Sequence, residues 1–142
     1  MVYGKPGQGK TFFATFLASL HKRVYSNYPI TLRGRRVGSY LKKVSDLERI
    51  PFSEIKGCVT LDELGKNANA RRSSSDNNLA FADLGMLGRK KNVNVVGIAQ
   101  LSRMADVYFR ELAEVSFEMR SWRKTKDELM FEFDVYRGEY LV

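Results

Sequence analysis

The sequence predicts an α/β fold, a mostly parallel sheet flanked by helices and finished by a C-terminal β-hairpin. Three observations lead there. A glycine-rich loop, Gly4 to Thr11, links a short apolar run (Val2 and Tyr3) to a segment with helical spacing of apolar residues. Two later runs, 57–63 and 93–99, are continuously apolar for most of their length, as strands buried on both faces of a parallel sheet are. Two final strand-like runs, 129–136 and 140–142, meet at Gly138, which marks a hairpin.

The elements follow in order. After the loop, a helix is expected over about 10–22, its apolar face made by Phe12, Phe13, Phe16, Leu17 and Leu20. Residues 24–28 alternate apolar and polar and stop at Pro29, so they read as a short strand entering a turn. A basic turn around Gly34 comes next. Ser45 can cap a short helix over 45–50, with Glu48 completing a capping box, and Pro51 opens a loop. The strand Gly57-Cys58-Val59-Thr60-Leu61 then runs into Asp62 and Glu63. A polar Ser/Asn/Arg-rich loop covers 65–78, and Asp76 is placed to cap a helix whose apolar residues are Leu79, Phe81, Ala82, Leu84 and Leu87. The strand 93–99 closes on Gln100, and a short helix over 106–113 leads to a strand over 115–122.

The loop has a specific chemistry. It reads G-K-P-G-Q-G-K-T, a complete phosphate-binding (Walker A) pattern in the strand-loop-helix context that such a loop requires. Gly4, Gly7 and Gly9 let the backbone wrap a triphosphate, so that amide N–H groups and the positive end of the following helix face phosphate oxygens. Gly4, Lys5, Pro6, Gly7, Gln8, Gly9, Lys10, Thr11 and the adjoining Phe12 are therefore the expected ATP-contacting residues. Lys10 would reach the β- and γ-phosphates, and the Thr11 hydroxyl would serve Mg²⁺. The acids closing the 57–63 run form a Walker B pattern, with Asp62 expected to hold Mg²⁺ and Glu63 to polarise the attacking water. Gln100, at the tip of the neighbouring strand, is placed for a sensor role toward the γ-phosphate or its water.

Composition bounds the partners. A chain of 142 residues, 44% hydrophobic, makes a single domain over 1–142 with room for one core and no second catalytic unit. Its net charge of +8 favours a polyanion beyond ATP, and DNA bound without sequence preference is the expected partner. The cations cluster at Arg33, Arg35 and Arg36, at Lys42 and Lys43, at Arg71 and Arg72, at Arg89, Lys90 and Lys91, and at Arg120, Arg123, Lys124 and Lys126. One cysteine (Cys58) and one histidine (His21) exclude disulfides, His/Cys zinc sites and Cys–His catalysis. Cys58 reads as a small buried residue in a strand, and His21 as a residue favourable to a helix C-terminus. No apolar stretch reaches the roughly 20 residues of a membrane span, so a soluble, cytoplasmic protein is expected.

The ordered set G-K-P-G-Q-G-K-T, V-Y-S-N-Y-P-I, V-T-L-D-E-L, G-R-K-K-N-V-N-V-V-G-I-A-Q and F-R-E-L-A-E-V resembles the Zot-like members of the FtsK/HerA group of P-loop ATPases over residues 2 to about 123. The Asn-Tyr-Pro strand, the basic segment before the glutamine-ended strand, and Arg110 after it are the more specific features. The resemblance implies a RecA-like core and a ring homo-oligomer, usually a hexamer, around DNA, as in phage DNA-export and viral genome-packaging ATPases. It also implies capsid or membrane proteins as further partners, and for a viral protein the host cytoplasm as its place. An arginine finger from a neighbouring subunit is implied too, with Arg89 the first choice, Arg110 the second, and Arg71 or Arg72 the third. The absence of a membrane segment after the ATPase region favours a soluble packaging or translocation motor over a membrane-anchored exporter.

Three readings compete. A DNA-translocating or packaging ATPase uses every motif. A P-loop kinase would need an acceptor site and an arginine-bearing lid, and has little use for Glu63 or for a strand ending in Gln100. A nucleotide-dependent DNA-binding adaptor without motor activity fits the loop and the charge, but has no need of Glu63.

Overall fold

The computed structural model describes residues 1–32, 35–41, 46, 57–62, 88, 93–100, 107–138 and 140–141 of the 142-residue chain. Two short connections shape its first half. β1 (Val2–Tyr3) passes through the glycine-rich loop into α1 (Lys10–Ser19), and α1 turns directly into β2 (Arg23–Ser26). A small antiparallel pair, β3 (Ile30–Leu32) and β4 (Arg35–Val37), is followed by β5 (Ser39–Tyr40). β6 (Gly57–Leu61), β7 (Asn94–Ala99), α2 (Val107–Leu112), β8 (Ser116–Lys124), β9 (Leu129–Arg137) and β10 (Tyr140–Leu141) complete the described elements. The helix expected over 45–50 lies outside the described residues except for Asp46, and so do the helix expected after Asp76 and the loop over 65–78.

The main sheet has eight strands in the order β10-β9-β8-β1-β7-β6-β2-β5. From β8 through β5 every neighbouring pair is parallel, and β8, β9 and β10 form an antiparallel meander at one side. The apolar runs follow burial, which is complete along β6 and holds in β7 from Gly97 to Ala99. All five residues of β6 are buried, including Thr60, and Cys58, Val59 and Leu61 belong to the core. The expected C-terminal hairpin is present, turning at Gly138 with Tyr140 opposite Arg137.

α1 packs on the sheet by a different stripe from the one its periodicity names. Phe13, Ala14 and Ala18 are buried, with Leu17 packed against the cluster of Phe13, Val2 and Met119, whereas Phe12, Phe16 and Leu20 are 53%, 46% and 67% exposed. Alanines allow the helix axis to approach the sheet closely, and this turns the larger side chains at 12, 16 and 20 toward the flank. Phe13 fills the resulting space, in contact with the rings of Phe117, Phe131 and Phe133 on β8 and β9. α1 also stops at Ser19, earlier than its pattern predicts, because the Leu20 N–H bonds the Leu17 carbonyl at 3.3 Å and the chain must then reach β2 at Arg23. His21 sits at that end as expected, its Nδ1 3.1 Å from the Leu17 carbonyl. Among the described residues no helix is long and apolar enough to cross a membrane.

Candidate nucleotide-binding site

Because β1, β2, β6, β7 and β8 run parallel, their C-terminal ends lie along one edge of the sheet, and the residues that follow each strand meet there. These are Gly4, Asn27, Asp62, Gln100 and the bulged end of β8. A ligand seat at the carboxyl edge of such a sheet follows from this connectivity.

The loop between β1 and α1 is shaped by its glycines. Gly7 and Gly9 have φ of 82° and 78°, the left-handed region in which a side chain is strained, and Gly9 serves as the N-cap of α1. The Gly4 N–H donates to the Gln100 carbonyl at 3.3 Å, which ties the loop's start to the end of β7. Inside the loop the Gln8 N–H bonds the Lys5 carbonyl at 3.3 Å, and the Gln8 side-chain oxygen accepts the Lys5 N–H. Lys10 Nζ reaches back to the Lys5 carbonyl at 2.8 Å, so the ammonium already stands over the loop. Burial lowers the Lys10 pKa from its ordinary value, and the Asp62 carboxylate partly offsets this.

Asp62 follows the buried β6 and meets the first turn of α1. Thr11 Oγ1 donates to Asp62 Oδ2 at 2.9 Å, which joins the two motifs that the sequence separates by about fifty positions. Asn27 holds Asp62 from the other side. Its Nδ2 donates to the Asp62 carbonyl at 3.0 Å, and its Oδ1 accepts the Asp62 N–H at 2.8 Å. Tyr28 adds a contact to the helix, its hydroxyl 3.4 Å from Thr15 Oγ1.

The donor set fits a nucleotide with a divalent cation. Gly7 opens onto free space and Gly4 and Gly9 let the loop pack closely on β8, one ammonium is aimed across the loop, and a hydroxyl and a carboxylate, both hard oxygen donors, stand together at its base. This chain has the P-loop NTPase fold. The order β8-β1-β7-β6-β2 places the loop strand between the glutamine-ended strand and β8, the arrangement of a RecA-like α/β core. The chain is similar to the N-terminal domain of zonular occludens toxin from Neisseria meningitidis, with a TM-score of 0.60 and 16% identity over 96% of this chain and 81% of that one. It is similar also to the genome-packaging NTPase of Sulfolobus turreted icosahedral virus 2, solved with ATP-γS, with a TM-score of 0.59 and 10% identity over 99% of this chain and 93% of that one. The two neighbours, a zonular occludens toxin domain and a viral packaging NTPase, are of the kinds that the motifs resemble. No family model matches the sequence, and no curated protein matches it.

Within the P-loop NTPase fold, Gly4, Lys5, Gly7, Gln8, Gly9, Lys10, Thr11, Asp62 and Gln100 come together at one edge, and Pro6 forms the exposed tip of the loop. Phe12 turns aside and lies tilted against Trp122, ring centroids 4.9 Å apart. Arg110 is exposed in the last turn of α2, which leads into β8 at the opposite edge of the sheet, so it does not approach the loop of its own chain. Glu63, Arg89, Arg71 and Arg72 lie outside the described residues. Sequence reasoning missed Asn27 as a site residue and missed Trp122 entirely. The Asn-Tyr-Pro run after a strand was a usable signal for Asn27; nothing local marks Trp122.

Proposed function

We propose that this chain is an ATP-hydrolysing, DNA-translocating motor of the genome-packaging type, working as a ring of copies of itself. The observation that carries the reading is the Thr11 to Asp62 contact of 2.9 Å, which assembles Walker A and Walker B into one site at the strand edge. In this reading the loop amides and Lys10 bind the triphosphate, while Thr11 and Asp62 hold Mg²⁺. The cation, when bound, supplies charge neutralisation on the phosphate oxygens. Asn27 fixes the height of Asp62, Glu63 orients and polarises the attacking water, and Gln100 senses the γ-phosphate. An arginine from the neighbouring copy, Arg89 before Arg110, completes the charge stabilisation.

The DNA part of the reading is supported by the net charge of +8 and by the likeness to a viral packaging NTPase. ATPase activity, measured with and without DNA alongside the mass of the protein in solution, tests it. DNA-stimulated hydrolysis by an oligomer, with DNA affinity falling steeply as salt rises, is the expected result. Hydrolysis indifferent to DNA at low ionic strength would overturn the motor, and absence of hydrolysis would overturn the enzyme.

A further inference from the structure

β8 and β9 pair in register except between Met119 and Ser121, where a β-bulge inserts Arg120. Before the bulge Phe117 and Met119 face α1; simple alternation would put Ser121 next on that face. The extra residue shifts the phase by one, and Trp122, opposite Phe131, takes the place instead. Its indole then lies against the phosphate-binding loop. Nε1 donates to the Gly7 carbonyl at 2.9 Å, and a Cβ on Gly9 would stand 2.7 Å from Trp122 Cγ. The bulge's carbonyl, that of Arg120, accepts Gln8 Nε2 at 2.9 Å. Arg120 is itself anchored on the other face by Asp134 at 2.6 Å and Glu118 at 3.2 Å.

We infer that Trp122 is a positioning residue of the phosphate-binding loop, set in place by the β8 bulge and acting through the Gly7 carbonyl. A carbonyl held outward by the indole cannot turn its negative end into the anion seat, so the loop is kept ready for phosphate. The Gln8 to Arg120 bond holds the next residue of the loop to the same strand. The inference rests on the nucleotide-binding reading of this loop, and its test separates the two.

Trp122 is the single tryptophan, so emission excited at the red edge of the absorption band, where tyrosine does not absorb, reports on it alone. Binding of ATP and of inorganic tripolyphosphate is measured by equilibrium dialysis on the full chain and on Trp122→Phe, which keeps a ring against Phe12 but loses the N–H donor together with part of the indole's contact area. Tripolyphosphate carries no base and acts only through the loop. The expected result is an emission shift of the native protein with either ligand, and a roughly two- to tenfold weaker affinity of the variant for both, as the loss of one hydrogen bond gives. An emission change with ATP but none with tripolyphosphate would mean that Trp122 touches the base, and would overturn the inference. So would unchanged affinities in the variant with a silent native emission. If Trp122→Phe does not fold, the native emission response to tripolyphosphate decides alone. Failure of the native protein to bind either ligand would overturn the nucleotide reading, and this inference with it.

Discussion

Asn27 brackets the backbone of Asp62, donating from Nδ2 to its carbonyl and accepting its N–H at Oδ1, with distances of 3.0 and 2.8 Å. The side chain thus pairs with Asp62 as a neighbouring strand would, one residue past the end of β2. The pairing leaves the Asp62 carboxylate to the Thr11 hydroxyl and the loop.

Asn27→Ala removes both bonds and leaves two backbone groups without those partners, a cost of about 1–3 kcal/mol. The expected outcome is a melting point lower by several degrees and a weaker dependence of ATP affinity on Mg²⁺, read by calorimetry and by titration with and without the cation. Asn27→Asp keeps the acceptor, loses the donor and adds a second carboxylate beside Asp62, so it should be no better than alanine.

Lys10→Ala and Glu63→Gln should differ in kind. The first leaves the triphosphate charge under-neutralised and should abolish tight ATP binding, while the second should bind ATP and fail to hydrolyse it. Equal loss of affinity in both would remove the role assigned to Glu63.

The two left-handed glycines of the loop should respond unequally to alanine. At Gly7 nothing lies within 4 Å of an added Cβ, so the cost is that of the backbone conformation alone, about 1 kcal/mol. At Gly9 the same methyl meets the Trp122 ring at 2.7 Å, so Gly9→Ala should destabilise more and lose nucleotide binding. Comparing denaturant midpoints and ATP affinities of the two variants checks this.

Gln100→Ala isolates a side chain, because the bond that ties Gln100 to Gly4 uses its carbonyl and survives the change. Turnover should fall by more than ATP affinity does, as expected for a contact that matters most in the transition state. Unchanged turnover would leave Gln100 only its backbone role.

Cys58, fully buried in β6, has its thiol pKa pushed up by burial from 9.0 to about 12. The unfolded chain therefore loses this proton first as pH rises, and the stabilising effect, complete below about 9, is lost progressively toward 12. Stability should drop by about 1 kcal/mol between pH 8 and pH 10, and Cys58→Ala should flatten that slope when denaturant midpoints are compared. Alkylation of the native thiol should be slow and become fast on unfolding.

The sequence by itself determined the local machinery: the loop with its glycines, the buried β6 ending at Asp62, the Gln100 tip of β7, the hairpin at Gly138 and the burial of Cys58. Each of these is written in adjacent residues, because burial on both faces demands an apolar run and a left-handed turn demands glycine. Glu63 and Arg89 were equally legible as candidates, and they remain so. Only the tertiary structure decided which strands are neighbours, that Asn27 holds Asp62, that a bulge brings Trp122 onto the loop, and that α1 meets the sheet through Phe13, Ala14 and Ala18 while Phe12, Phe16 and Leu20 face outward. Those outcomes depend on contacts between residues as far apart as Gly7 and Trp122. Periodicity states how apolar a face is; which face comes close enough to be covered is settled by the partner it packs against.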